Sequence, residues 1–251
     1  MRGSNLKALL VLLLFVGFWQ FACSAVKIDR FVLPSPLDIV HAIQAYGPQL
    51  LEQSTRTLWV TLTGLGIAVV VGIPLGLVVG ASRNVHDSVY PLMVGFNAVP
   101  KVALLPILVV WFGVGAYTAV VTAFALAVFP IVVNLAIAIR TIEPEIQDVL
   151  RSLGATRTQI LIKIGLPRSL PYFFASLKVS VTLAFVGSVL AETVAGSAGV
   201  GYLMMAASAR FDLPLVFAGL FAIAAMSVAI YYAVEWFERR TTGWANRGGR
   251  A

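Results

Sequence analysis

The stretch LWVTLTGLGIAVVVGIPLGLVVG, Leu58–Gly80, decides the fold. It lies in a gap of 26 residues between Arg56 and Arg83 that holds no charged side chain. About 20 apolar residues in a helix cross the ~30 Å hydrocarbon core of a bilayer. In lipid only a helix or a closed barrel satisfies every backbone N–H and C=O. A barrel strand alternates apolar and polar residues, and this run does not alternate. The segment therefore reads as a transmembrane helix, and the fold class as all-α.

Five more candidate spans lie outward of it. Leu6–Ala25 is leucine-rich. Between Lys101 and Arg140 another 38 residues carry no charge, too many for one span. Gly113 and Gly115 offer a turn, which splits the region into Val89–Trp111 and Tyr117–Ile139. Val179–Ala195 and Pro214–Trp236 complete the set. The expectation is a polytopic membrane protein of about six transmembrane helices, with residues 1–251 forming one transmembrane domain.

Composition agrees. The 251 residues are 59% hydrophobic and 12% charged, against about 25% charged in a soluble domain. So few charges cannot cover a water-facing surface, which excludes a soluble enzyme and a disordered chain. The net charge of +7 does not point to nucleic acid, because basic residues hold loops on the cytoplasmic side. With both termini on one face, that face carries 13 of the 18 Lys and Arg residues, including Arg247 and Arg250. The other face carries Lys27, Arg30, Arg56 and Arg210. The termini and the long loop 140–178 are thus expected in the cytoplasm. Arg2, Lys7 and Ala22-Cys23-Ser24 around the first apolar run also fit a lipoprotein signal peptide. Five further spans favour an anchor.

Several chemistries are excluded. No lysine follows a glycine, so the Gly-Lys-Ser/Thr of a phosphate-binding loop is impossible and ATP is not hydrolysed by that route. The two histidines, His41 and His86, form no His-Glu-x-x-His motif and lie outside the spans. Cys23 is alone, so no internal disulfide or cysteine metal cluster is expected. No catalytic residue and no metal site is expected. Transport or scaffolding remains.

The loop 140–178 has local order. Pro144 suits a helix start. Ile146, Val149, Leu150 and Leu153 fall at i, i+3, i+4 and i+7, one apolar stripe. Gly154 can take a left-handed C-cap. Thr156–Gln159 is a capping-box pattern that restarts a helix, and Pro167 is expected to end it. The product is a helix, a glycine corner and a second helix, either an interfacial helix or a dock for a partner protein.

These residues resemble the permeases of bacterial binding-protein-dependent ABC importers. That family shares a motif of Glu-Ala-Ala, three residues, Gly, nine residues and Ile-x-Leu-Pro. Here Asp148-Val149-Leu150 stands at the triplet, with both alanines replaced by larger residues. Gly154 and Ile164-Gly165-Leu166-Pro167 follow at the family spacing. Leu33-Pro34-Ser35-Pro36, the stretch Asn97–Pro106, Ala191-Glu192-Thr193 and Gly199-Val200-Gly201-Tyr202 resemble the nitrate/sulfonate/taurine branch.

The resemblance implies a translocation subunit in the bacterial cytoplasmic (inner) membrane. It implies a second permease copy, more readily a homodimer, and a periplasmic or lipid-anchored substrate-binding protein. It also implies a separate ABC ATPase that hydrolyses ATP, with no cofactor bound by this chain. Coupling to that ATPase would fall on Asp148, Leu150, Arg151, Gly154, Ala155, Ile164, Leu166 and Pro167. The solute would be a sulfonate, taurine, nitrate or similar anion, or else a thiamine-precursor pyrimidine or aromatic acid. A channel or scaffold without an ATPase is the competing class.

Four polar residues inside spans are candidates for the translocation path: Asn97, Lys101, Asn134 and Glu192. A central lysine costs about 2.5–3.5 kcal/mol on insertion. Lys101 either attracts an anion or is satisfied internally, by Glu192, by a backbone carbonyl or by snorkelling. Glu192 is either an outer gate or contact for the binding protein, or a brace for the small-residue stretch that follows it. Asn97 and Asn134 read as interhelical hydrogen-bond donors.

Overall fold

A computed structural model describes residues 2–26, 28–141 and 143–243. Lys27, Arg247 and Arg250, used in the charge count, lie outside the described residues. Every regular element among the described residues is a helix.

Helix α1 (Arg2–Val26) is followed by α2 (Pro36–Ala81), which is entered through a capping box. The Ser35 hydroxyl accepts from Asp38 N–H at 3.2 Å, and the Asp38 carboxylate accepts from Ser35 N–H at 3.0 Å. Pro36 fits the first turn because its missing N–H would have no helical partner there. At 46 residues, α2 is about 69 Å long at 1.5 Å per residue. It begins well before Leu58, where the span was expected. Its N-terminal half carries the exposed Glu52–Arg56 pair. Charged residues end a membrane span without ending a helix.

The core is α2 packed against α5 (Ala116–Arg140), which packs on α8 (Leu166–Ala195). Apolar helices gain no hydrophobic drive from leaving lipid, so close van der Waals approach between small residues holds them. Gly64, Gly72, Gly76 and Gly80 lie along one side of α2. A Cβ on Gly76 would sit 2.8 Å from the Leu135 Cβ and 3.0 Å from the Val132 carbonyl of α5. Gly187 of α8 meets the Thr122 carbonyl in the same way, at 2.8 Å. Ala68, Ala123, Ala127 and Ala184 fill the seam, with Leu65, Ile131, Val181 and Phe185 beside them.

The expected span Val89–Trp111 is not one helix. It comprises α3 (Arg83–Ala98), a 3₁₀ turn (Lys101–Leu104) and α4 (Leu105–Phe112), bent by 81°. Pro100 supplies no N–H and pushes Val99 into an extended conformation, φ −66°, ψ 125°. Four described helices are long and apolar enough to cross a membrane, or five if the bent pair is one span. The described apolar stretch of α1, Leu10–Val26, is shorter. The count of six is therefore not reached by length and composition.

The loop region holds α6 (Pro144–Ser152) and α7 (Arg157–Ile160), which runs through a π turn (Leu161–Gly165) into α8. After α8, the short α9 (Val200–Ser208) leads to α10 (Leu213–Thr241). Lys178 of α8 pairs with Glu238 of α10 and lies over the Tyr231 ring.

The α9–α10 corner carries Phe211 at φ +58°, 70% exposed. Asp212 N–H reaches the Ala207 carbonyl and Phe211 N–H the Ser208 carbonyl, both at 3.0 Å, the pattern of a glycine-type helix end. Left-handed backbone costs an L-residue about 1–2 kcal/mol. Phe211→Gly should raise stability by about 1 kcal/mol, roughly 2–4 °C in Tm for a chain of this size. Thermal unfolding of the detergent-purified variant checks it; an unchanged or lower Tm would mean that the Phe211 ring stabilises the corner by more than its backbone strain.

Candidate functional site

The glycine corner is built by local rules. Helix α6 ends where Ala155 N–H reaches the Leu150 carbonyl and Gly154 N–H the Arg151 carbonyl, both at 2.9 Å. Closing that turn needs a left-handed residue, and Gly154 has φ +85°. The chain then re-enters a helix by a reciprocal cap. Thr156 N–H donates to the Gln159 side chain at 2.8 Å, and Gln159 N–H to the Thr156 hydroxyl at 3.2 Å. Pro167 does not end this helix. It sits in the first turn of α8, where a proline needs no N–H partner, and the π turn joins α7 to α8.

The expected residues fall along this path. Asp148 is exposed and 3.4 Å from Arg151. Leu150 and Ala155 are half-buried, and Gly154 is exposed. Ile164 lies in the π turn, and Leu166 and Pro167 open α8, all half-buried. The apolar stripe of α6 is uncovered at Val149, 60% exposed, and Leu153, 78% exposed. A Cβ on Gly154 would meet nothing within 4 Å.

Of the four intramembrane candidates, the structure brings together Asn97 and Lys101, with Asn134 and Glu192 bonded elsewhere. Lys101 is at the bend, at the start of the 3₁₀ turn, and not in the middle of a helix. Its ammonium donates to the Asn97 side-chain oxygen at 2.7 Å and to the Asn97 carbonyl at 3.1 Å. Glu192 is not its partner. Asn134 donates to the Pro130 carbonyl of its own helix at 2.8 Å. Neither amide bridges two helices, because each finds a partner four residues away.

Glu192 is 4% exposed and joins three helices. One carboxylate oxygen accepts from the Thr57 hydroxyl of α2 at 2.9 Å and from Gly201 N–H of α9 at 3.0 Å. Val200 N–H donates to the Thr57 hydroxyl at 2.8 Å, and Gly199 N–H to the Gln53 side chain at 2.7 Å. The first amides of α9, which have no helical partner, are thus held by α2 and α8. Thr61 and Ser188 share a hydroxyl contact at 2.6 Å one turn further along α2. Gln53, Thr57 and Thr61 were not among the expected residues. Thr57 and Thr61, four apart on one face as the apolar run begins, are the signal in the sequence; Gln53 is hidden in the polar run Glu52–Thr57.

Known proteins of similar sequence are transport permeases. The riboflavin transport permease RibX of Chloroflexus aurantiacus is 32% identical over 93% of this chain and 88% of its own length. The formylaminopyrimidine permease ThiX of Halalkalibacterium halodurans is 28% identical over 96% of this chain and 97% of its own. The taurine permease TauC of Escherichia coli is 26% identical over 90% and 85%. In three dimensions the chain is similar to one chain of the inward-facing MetNI methionine ABC transporter. That match has a TM-score of 0.67 at 21% identity and covers 77% of this chain and 96% of that one. A family described as binding-protein-dependent transport system inner membrane component matches residues 72–243, well over half of the sequence, and the chain belongs to it.

Proposed function

We propose that this ABC importer permease passes a small anion, of the sulfonate, taurine or nitrate class, from a binding protein into the cytoplasm. As a permease component it is not itself catalytic; a separate ATPase supplies the hydrolysis. That ATPase is received at the corner Asp148–Pro167, within the region 140–178. The observation that carries the docking is the uncovered stripe of α6. Val149 and Leu153 are left open next to a rigid left-handed turn. An apolar stripe on a short, water-side helix is stable when a partner covers it.

A second permease copy covers the bent pair α3–α4. No described residue of α3 is buried within the chain, and Leu92, Val110 and Trp111 are each more than 70% exposed. Lys101 and Asn97, at the bend, face the path between the copies. The Lys101 ammonium has donor capacity beyond its two Asn97 bonds and gives the path one positive charge. Glu192 acts from behind the wall, holding its helices, and Asn134 is satisfied within α5. A heteroaromatic solute is the second reading, favoured by RibX and ThiX among the relatives.

The test is co-purification of the tagged chain from native membranes in mild detergent, then ATP hydrolysis in liposomes. An ABC ATPase should accompany the chain. Its rate should rise when binding protein is added with taurine, an alkanesulfonate or nitrate. A rise with a formylaminopyrimidine alone would move the solute to the second reading. If no ATPase accompanies the chain, the docking assignment fails and a channel or scaffold takes its place.

A further inference from the structure

A cavity of about 310 Å³ lies beneath the glycine corner. Its floor is the end of two core helices, Gly80 and Ala81 of α2 with Arg140 of α5. Its roof is α6, which turns Gln147 and Arg151, one turn apart, towards it, and Thr158 of α7 closes one side. These residues lie on a different face of α6 from the uncovered Val149 and Leu153. We propose that this cavity binds the phosphate of an anionic phospholipid from the cytoplasmic leaflet.

Two arginines, Arg140 and Arg151, line a space at the lower end of the ~300–1,000 Å³ range of small-ligand sites. Arg140 makes no ion pair with any described residue. Arg151 reaches the exposed Asp148 carboxylate at 3.4 Å and the Gln147 side-chain oxygen at 3.5 Å, both long contacts on its own helix. Surface pairs of this kind contribute little, so both forks are available to a phosphate, which guanidinium fits in a bidentate manner. The Thr158 hydroxyl adds a donor. The place favours a lipid over a soluble phosphate. The cavity lies at the ends of the apolar helices α2 and α5, and Ile160 and Leu161 line it. Basic pockets at the cytoplasmic ends of transmembrane helices take anionic headgroups. A bound headgroup would also brace α6 against the spans. That consequence rests on the docking role proposed above, but the binding itself does not.

The full chain, with the subunits that accompany it, is purified in neutral detergent. It is titrated with phosphatidylglycerol, with phosphatidylcholine and with inorganic phosphate, and native mass spectrometry counts the adducts. One phosphatidylglycerol per chain should be retained, with no retention of phosphatidylcholine. Arg140→Gln/Arg151→Gln should lower retention at least roughly tenfold, as loss of two charge-assisted contacts requires. Arg239→Gln/Arg240→Gln, at the cytoplasmic end of α10, should leave it unchanged. Equal loss in both double variants would reduce the effect to general surface charge and overturn the site. So would undiminished retention in the first variant, or no retention in the parent. If inorganic phosphate competes the lipid away at millimolar concentration, the lipid assignment is overturned in favour of a soluble phosphate. None of these readouts depends on ATPase docking.

Discussion

A chain carrying Gly154→Glu is expected to fold and insert normally and yet to lose its ATPase. The argument rests on the emptiness around the corner. Gly154 is left-handed, φ +85°, but a Cβ there would meet nothing within 4 Å. Inside this chain the substitution therefore costs only backbone strain, about 1–2 kcal/mol, confined to a surface turn. Any larger effect must come from a partner that approaches the corner closely. The expected result is a Tm lowered by a few degrees, loss of the co-purifying ATPase, and ATP hydrolysis no longer raised by the binding protein. Gly154→Ala is the comparison, since it carries the same strain with little bulk and should keep most of the coupling. Equal loss in both variants would assign the effect to strain and would falsify close approach at this residue.

The second large effect is structural. Gly76→Leu should yield no detergent-stable protein, or a Tm lowered by at least about 6–12 °C, as a loss above ~3 kcal/mol implies. Its Cβ alone would stand 2.8 Å from the Leu135 Cβ and 3.0 Å from the Val132 carbonyl. A side chain can turn aside, but the backbone of α5 cannot, so α2 and α5 would have to separate along the seam. Gly66→Leu is the control on the same helix, where a Cβ would meet nothing within 4 Å. It should be neutral or slightly stabilising, because leucine is the better helix former. Thermal unfolding of the two proteins side by side decides. Equal behaviour would mean that the seam is not what joins these helices.

Much of this architecture is written in runs without charge. Leu58–Gly80, Tyr117–Ile139 and Pro214–Trp236 each lie inside an observed long helix, because lipid admits little else. The glycine corner was legible for another reason. Its signals, Pro144, Gly154 and the Thr156–Gln159 box, act within a few residues of themselves. The span Val89–Trp111 was misread because counting charges ignores Pro100, whose effect is on the conformation of Val99. The partner of Glu192 was not legible at all. Thr57 lies 135 residues away, and the pairing depends on how three helices cross. Yet the partner of Glu192 and the α2–α5 seam each left a mark in the residues: Thr57 and Thr61 are four apart, as are Gly72, Gly76 and Gly80. A period of four inside an apolar run signals which face meets a neighbour, a question the search for spans does not ask.

Thr158–Ala195 is one helical stretch of 38 residues, about 57 Å from end to end. One end adjoins the glycine corner, and near the other Glu192 is tied to α2 and α9. It is a connecting rod with a bearing at each end. The two bearings are joined without a loop, and the π turn at Leu161–Gly165 and Pro171 inside α8 are the places where the rod departs from a regular helix.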